Sequence, residues 1–185
     1  MTFQTPNLVS FIGAPAVGKT ALAQGLAGQE GIFFFNRDVM LDHIFGNDRE
    51  SEQYRALTGP LTKSTWELAI YNTALLRTSI ILESPMTAVT QGKPGSFIDT
   101  ALEAAGAYRF RVSLIYCVAP ADIVLARMKE RGSPRDEPKY GNWAAFVRDF
   151  IDVPGPTYEH LKIDTTNAEE GNLTRISTYL RRHVP

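Results

Sequence analysis

The chain has 185 residues, of which 44% are hydrophobic and 21% are charged. This length favours one domain with a single core, and the composition argues against a disordered or membrane-embedded protein. The 19 basic and 20 acidic residues leave a formal net charge of -1, so the chain lacks the overall positive field that attracts nucleic acids nonspecifically.

Short runs of β-branched and aromatic residues alternate with stretches of helical periodicity, which predicts βαβ units and a parallel sheet. The predicted strands cover residues 8–12, 32–35, 79–83, 111–118 and 161–163. The predicted helices cover residues 19–27, 38–45, 65–77, 97–105, 121–131, 142–150 and 173–182. Several strands are continuous apolar runs, as in sheets covered on both faces. We therefore expect an α/β fold, a three-layer α/β/α sandwich with a five-stranded parallel sheet.

Local signals mark the ends of two predicted helices. Ser64 and Glu67 form a capping-box pattern at the start of the third helix, and Pro120 and Gly132 bracket the fifth. The single cysteine, Cys117, lies in an apolar strand and is expected to be a buried small hydrophobe.

Two segments between predicted elements have the composition of loops. Segments 84–95 and 132–141 are rich in proline, glycine and charge, which predicts mobile surface loops. Residues 1–7 show no basic and apolar leader pattern, and no run approaches the length needed to cross a bilayer, so a cytoplasmic location is expected.

The junction of the first strand and first helix carries a complete G-x-x-x-x-G-K-[ST] pattern. It reads Gly13-Ala14-Pro15-Ala16-Val17-Gly18-Lys19-Thr20. The glycines allow backbone N–H groups to converge on phosphate oxygens at a helix N-terminus. Lys19 is expected to bridge the β- and γ-phosphates, and the Thr20 hydroxyl to ligate Mg²⁺. The predicted ATP contacts here are Gly13, Ala14, Ala16, Val17, Gly18, Lys19 and Thr20.

Three classes of P-loop protein compete for the rest of the chain. A GTPase is excluded because the only D-x-x-G, at residues 152–155, comes too late and no guanine motif follows. An AAA-type motor needs a strand ending in Asp-Glu, whereas the third strand here ends Glu83-Ser84-Pro85. The motor interpretation stays possible but weaker.

A kinase needs a group that accepts or orients the acceptor hydroxyl proton, and Asn36-Arg37-Asp38 follows the second strand. Asp38 is the first candidate, and Asp42, one helical turn later, is the reserve. Arg37 is placed with them at the substrate. Asp38 is also a natural helix cap, and capping is compatible with catalysis. Glu83 is a candidate for a metal-bound water or a substrate hydroxyl, with an ordinary strand-end charge as the alternative.

Arg127 and Arg131 are spaced i, i+4 near the end of the fifth helix, and Arg135 follows in the next loop. Guanidinium groups stabilise the charge that develops on transferred phosphoryl oxygens. We interpret residues 127–141 as an arginine lid that closes over nucleotide. A solvated helix end is the alternative.

These motifs together resemble the P-loop kinases that include the kinase domain of phage-type polynucleotide kinase and related small kinases. The resemblance implies that Asp38 activates the attacking hydroxyl and that Arg127 and Arg131 are lid arginines. It also implies that the loop 164–167, with Thr165 and Asn167, packs on adenine. Glu83 departs from the aspartate of that family, and basic residues that would track an oligonucleotide are not evident.

The region 46–77 occupies the position where this superfamily builds its acceptor-binding lid. Tyr54, Trp66 and Tyr71 there could stack on a ring, although core positions at helical spacing are favoured. The sequence thus predicts one kinase domain over residues 1–185 that uses ATP and Mg²⁺. The expected acceptor is a small-molecule hydroxyl, of a nucleoside, sugar or antibiotic. A polynucleotide 5′-hydroxyl and an ATP-binding switch or assembly ATPase remain alternatives.

Overall fold

A computed structural model describes residues 5–46, 48, 51–85 and 96–182. Its centre is a five-stranded parallel sheet with the order β2-β3-β1-β4-β5. The strands are β1 (Asn7–Gly13), β2 (Phe33–Phe35), β3 (Ile80–Pro85), β4 (Arg111–Val118) and β5 (His160–Asp164). Helices flank this sheet, and the predicted α/β fold class is confirmed.

Eight α-helices lie within the described residues. They are α1 (Lys19–Glu30), α2 (Arg37–Phe45), α3 (Glu52–Ala74), α4 (Phe97–Tyr108), α5 (Ala121–Arg131), α6 (Glu137–Gly141), α7 (Trp143–Phe146) and α8 (Glu169–Arg181). As predicted, Pro120 and Gly132 flank α5, and Gly132 ends it in a left-handed conformation. In the part of the chain described, no helix is long and apolar enough to cross a membrane.

The sheet separates two apolar layers. One packs α1, α5 and α8 on its face and includes Leu26, Val124 and Ile176. The other packs α3 and α4 and includes Trp66 and Ile98. The central strand β1 is buried along its whole length, as expected for a strand covered on both faces. Its C-terminal end therefore emerges at the middle of one sheet edge.

Cys117 lies in the first of these layers with 1% of its surface exposed, which confirms the predicted structural role. Burial raises the pKa of its thiol to about 12. The thiolate is therefore scarce at neutral pH, and the residue acts as a small packing group.

The predicted start of the third helix is wrong. α3 begins at Glu52, and Ser51 caps it by accepting a bond from Tyr54 N at 3.2 Å. Ser64 therefore lies in the middle of a 23-residue helix that also contains Pro60. Packing of one face against the sheet, where Trp66 is buried, outweighs the local cost of the proline. Tyr71, by contrast, is 53% exposed.

The segment after α5 is more structured than a loop. A 3₁₀ turn at Pro134–Asp136 leads directly into α6. The predicted helix 142–150 is divided into α7 and a π-helical turn at Val147–Ile151. Residues 86–95 of the other predicted loop lie outside the described residues.

Candidate active site

The P-loop lies at the C-terminal end of β1, where its backbone is shaped by three residues with positive φ. These are Gly13 at 142°, Ala16 at 62° and Gly18 at 96°. A Cβ at Gly13 would stand 2.3 Å from the carbonyl oxygen of Cys117, so only glycine fits beside β4. The turn is thus built for close backbone approach, as an anion-binding nest requires.

The N-terminus of α1 is left open to an anion. Gly18 is its cap residue, no side chain caps it, and its first turn carries no acidic residue. Lys19 Nζ donates to the carbonyl oxygens of Gly13 at 3.1 Å and Ala14 at 2.8 Å. Burial lowers the pKa of Lys19, although the nearby Glu83 carboxylate opposes this. A phosphate at this position would compensate a desolvated ammonium.

Thr20 and Glu83 meet beside Lys19. The Thr20 hydroxyl donates to Glu83 Oε1 at 2.8 Å. Burial raises the pKa of Glu83, and the charge of Lys19 and the Thr20 bond oppose that rise. In the described chain, no group of three or more His, Cys, Asp or Glu side chains is arranged to hold a metal. The pair nevertheless fits Mg²⁺, which takes one or two protein oxygens and completes its shell with phosphates and water.

Asp38 lies on the first turn of α2, which follows β2. Asn36, not Asp38, caps this helix, and its Oδ1 accepts from Val39 N at 3.2 Å. The Asp38 carboxylate instead pairs with Arg37 Nη2 at 3.0 Å and Arg135 Nη1 at 3.8 Å. Asp38 is therefore held by two guanidinium groups and does not serve as the cap that the sequence allowed.

Arg37 and Arg135 each have a further partner. Arg37 Nη1 donates to Thr62 Oγ1 on α3 at 2.7 Å. Arg135 Nη1 also approaches Asp42 Oδ2 at 3.7 Å. The structure thus brings the reserve carboxylate Asp42 to the same guanidinium as Asp38.

A cleft of about 250 Å³ connects these groups. Nine residues predicted from the sequence line it: Gly13, Ala16, Lys19, Thr20, Arg37, Asp38, Glu83, Arg131 and Arg135. Four residues without a predicted role also line it: Pro15, Ser84, Lys139 and Phe150. Its walls therefore carry the P-loop at one side and, at the other, the acidic and basic side chains of α2 and of the segment 131–139.

Arg131 and Lys139 are joined by a carboxylate that the sequence did not single out. Asp136, which is fully buried, accepts from Arg131 Nε at 3.0 Å and from Lys139 Nζ at 2.5 Å. Burial of Asp136 disfavours its charge, but the bonds from Lys139 and Arg131 outweigh it and lower the pKa of Asp136. The two cations are thereby fixed at the cleft wall.

Arg127 lies elsewhere, contrary to the expectation that it would project beside Arg131. Its Nη1 donates to Val17 O at 3.1 Å and to Thr165 Oγ1 at 2.9 Å, and Nη2 donates to Thr165 O at 2.8 Å. It does not line the cleft. Residues four apart lie on nearly the same face of a helix, so the two guanidinium groups diverge because their partners differ: Arg127 bonds to Val17 and Thr165, and Arg131 bonds to Asp136. Arg127 ties the P-loop to the segment after β5.

The predicted adenine loop is adjacent to the P-loop but its members differ in environment. Thr165 Oγ1 donates to Val17 O at 2.5 Å, while Asn167 Nδ2 donates to Asp164 O at 3.2 Å and is exposed. Gly18 is close-packed against this loop, since a Cβ there would lie 3.4 Å from Thr165 Cβ.

Asp136, Lys139 and Phe150 were not predicted as site residues, because their positions depend on tertiary structure. Asp136 stands five residues after Arg131 and three before Lys139, a spacing that becomes informative once the 3₁₀ turn is known. Phe150 lies in a π-helical turn, which a helical period of 3.6 does not predict. The one sequence signal that pointed to Asp136 and Lys139 was the number of charged residues in the proline-containing segment 132–141.

The family model AAA_33, described as an AAA domain, matches residues 8–150. The chain belongs to this AAA_33 family. No curated protein sequence matches the chain.

Solved structures with similar folds include three that this chain covers almost completely. A protein from Chloroflexus aurantiacus has 22% identity and a TM-score of 0.72, with 98% of this chain and 100% of that chain covered. A sugar kinase from Janibacter has 21% identity and a TM-score of 0.64, with 95% and 94% covered. A gluconokinase from Sinorhizobium meliloti has 14% identity and a TM-score of 0.57, with 97% and 99% covered.

The AAA_33 chain thus has the fold of the P-loop kinases, and the resemblance predicted from the motifs is confirmed at the level of the fold. At these identities the likeness concerns the fold, so the reaction must be argued from the site itself.

Proposed function

We propose that the protein is an ATP-dependent kinase that transfers the γ-phosphoryl group to a hydroxyl of a small molecule. One observation carries this proposal: a single cleft joins the P-loop lysine to two carboxylates and to three cations from the lid. The carboxylates are Asp38 and Glu83, and the cations are Arg131, Arg135 and Lys139. Binding of a nucleotide alone would not require a second carboxylate on the far wall.

The P-loop side would bind the nucleotide. The N–H groups of the nest and of α1 would bind phosphate oxygens, and Lys19 would exchange its carbonyl partners for the terminal phosphates. Thr20 and Glu83 would hold Mg²⁺. Mg·ATP, when bound, supplies the transferable phosphoryl group and the charge of the metal.

The opposite wall would handle the acceptor. Asp38 would accept or orient the hydroxyl proton, so that the oxygen can attack in line. Arg37 keeps that carboxylate in place through its own bond to Thr62 on α3. The cations of the lid would stabilise the charge on the transferred group, so most of the catalysis is positioning and electrostatics.

A small acceptor is favoured over a nucleic acid. The chain's net charge of -1 offers little attraction to a polyanion. The structurally similar proteins named a sugar kinase and a gluconokinase support a small hydroxylated acceptor. Phe150 adds an aromatic surface to the cleft, against which a ring could pack.

Two alternatives make different predictions. A polynucleotide 5′-hydroxyl kinase would label oligonucleotide ends. An ATP-binding switch or assembly ATPase would hydrolyse ATP slowly and would be stimulated by a protein partner. Replacement of Asp38 would not change its hydrolysis rate. The position of Asp38 between two arginines in the nucleotide cleft favours an acceptor-using enzyme.

The test is transfer of label from γ-labelled ATP. The protein is incubated with a panel of sugars, sugar acids, nucleosides and aminoglycoside- or chloramphenicol-type compounds, and separately with 5′-hydroxyl oligonucleotides. We expect label on at least one small compound and none with Lys19→Ala, which removes the phosphate-binding ammonium. Label on oligonucleotides alone would overturn the small-molecule assignment, and partner-stimulated hydrolysis without any labelled acceptor would favour the switch.

A further inference from the structure

We propose that Asp136 is a positioning residue that holds Arg131 and Lys139 ready for the terminal phosphate of a nucleoside triphosphate. This inference rests on the proposed function in one respect: the cleft must bind a nucleoside triphosphate. The identity of the acceptor does not enter. Asp136 itself does not line the cleft, whereas both of its cationic partners do.

The geometry distributes the two cations over the two oxygens of one carboxylate. Oδ2 accepts from Arg131 Nε at 3.0 Å and from Arg131 Nη2, and Oδ1 accepts from Lys139 Nζ at 2.5 Å. Arg131 Nη1 and the other N–H groups of Lys139 Nζ do not bond to this carboxylate. Both cations border the same cleft as Lys19, so the leftover donors are available to phosphate oxygens there.

The carboxylate also overcomes a repulsion. Arg131 and Lys139 are like charges that share one neighbour, and burial lowers the pKa of Lys139 against the opposing bond from Asp136. Without a negative charge between them the cations would separate into solvent, because both keep part of their side chain exposed, at 35% and 24%. Asp136, with none of its side chain exposed, has no such freedom.

The local fold explains why Asp136 can do this. The 3₁₀ turn is closed by a bond from Asp136 N to Ser133 O at 2.8 Å, and α6 starts at the next residue. Lys139 is therefore one helical turn from Asp136, on the same side of α6. The adjacent Arg135 turns instead toward Asp38 and Asp42. The segment 131–139, made of the end of α5, the 3₁₀ turn and the start of α6, thus supplies three cations to the cleft.

The alternative is that Asp136 only stabilises the folded lid. The two roles differ in which ligand they affect. A purely structural residue would weaken the binding of Mg·ADP and of a nonhydrolysable triphosphate, Mg·AMPPNP, in equal proportion. A residue that positions cations for the terminal phosphate would selectively weaken Mg·AMPPNP, because Mg·ADP lacks that phosphate.

The experiment measures both affinities by calorimetry for wild type, Asp136→Asn and the control Glu137→Gln. The control makes the same charge change at the exposed neighbouring position. We expect Asp136→Asn to lower the affinity for Mg·AMPPNP by about tenfold or more, in line with loss of charge-assisted hydrogen bonds, and to change Mg·ADP affinity by less than about threefold. Glu137→Gln should leave the ratio of the two affinities unchanged. An unchanged ratio in Asp136→Asn would overturn the proposal.

A second variant covers the possibility that Asp136→Asn does not fold. The triple substitution Arg131→Met, Asp136→Leu, Lys139→Met removes the whole ionic cluster, and such apolar replacements are often tolerated. It should bind Mg·ADP but lose the same preference for the triphosphate. A triple variant that retains the wild-type preference would refute the role. Failure of the proposed function would give a different result. No acceptor would be labelled, yet the ratio of Mg·AMPPNP affinity to Mg·ADP affinity would still fall in Asp136→Asn.

Discussion

The cations on the two sides of the P-loop have different bonding partners. We call the side of Val17 and Thr165 the back and the side of the cleft the front. Behind the loop, Arg127 uses three hydrogen bonds to main-chain and side-chain oxygens of Val17 and Thr165. In front of it, Arg131, Arg135 and Lys139 bond to carboxylates and border an open cleft. Two arginines one helical turn apart, Arg127 and Arg131, therefore have different bonding partners. We expect substitutions at the back to change stability and substitutions at the front to change the reaction.

The largest effect should come from Asp38→Asn at the front. Loss of the proton acceptor is expected to lower turnover by about 10²- to 10⁴-fold, because general-base catalysis contributes on that order. Affinity for Mg·AMPPNP should change little, since Asp38 lies on α2 and not on the P-loop. Steady-state kinetics with an acceptor found by labelling, together with calorimetry, would check this. Normal turnover in Asp38→Asn would remove its assignment as the base.

The division between back and front is tested by the pair Arg127→Met and Arg135→Met. Arg127→Met should lower the free energy of unfolding by about 1–3 kcal/mol, because Val17 and Thr165 lose charge-assisted bonds in a part-buried site. Arg135→Met should change stability by less than about 0.5 kcal/mol, since its ion pairs are long and partly exposed, but should lower kcat/KM. Urea denaturation and kinetics on both variants give the answer. The opposite pattern would show that front and back do not divide in this way.

Glu83→Gln sharpens the assignment of the front wall. The amide would still bond to Thr20 but would lose the charge that attracts a cation. We expect the Mg²⁺ concentration for half-maximal rate to rise by about tenfold, because replacing a residue that supports a bound metal commonly lowers metal affinity on that scale. A magnesium titration at saturating nucleotide measures this. An unchanged titration would leave Glu83 as an ordinary strand-end charge.

The smallest effect should be a pH dependence of stability at Asp136. Burial disfavours its charge, yet the bonds from Lys139 and Arg131 outweigh burial and hold its pKa below the ordinary 3.8. The stabilisation is thus complete above the unfolded pKa and is lost as pH falls below 3.8 through the lower folded value. The difference in unfolding free energy between wild type and Asp136→Asn should narrow over that window. Urea denaturation at several acidic pH values would reveal it, and a constant difference would contradict it.

The sequence was most informative where the backbone requires one residue type. The P-loop pattern predicted the strand, the turn, the helix start and the cleft, because glycines at 13 and 18 followed by a lysine at 19 rarely occur together outside a phosphate-binding turn. The parallel sheet was predictable because strand-like runs alternate with stretches of helical periodicity along the chain. The placement of Asp38 and Glu83 at one cleft was predictable because parallel strands end at one edge of the sheet.

Features that depend on packing were not predictable in the same way. α3 continues through Gly59 and Pro60, which are unfavourable inside a helix, because its buried face packs on the sheet. The separation of Arg127 from Arg131 depends on the segment after β5, which is distant from both arginines along the chain. The role of Asp136 depends on the turn that brings it between two cations. Such contacts have no periodic signature in sequence.

The bridge from Arg135 to Asp38 and Asp42 has a consequence for access to the cleft. It spans two successive turns of α2 with distances of 3.8 and 3.7 Å and partly exposed carboxylates. Ion pairs of this kind are weakened by mobile ions in the solvent. Under the proposed function, an acceptor hydroxyl would compete with Arg135 for the Asp38 carboxylate, so we expect the rate of acceptor binding to depend on the salt concentration of the medium.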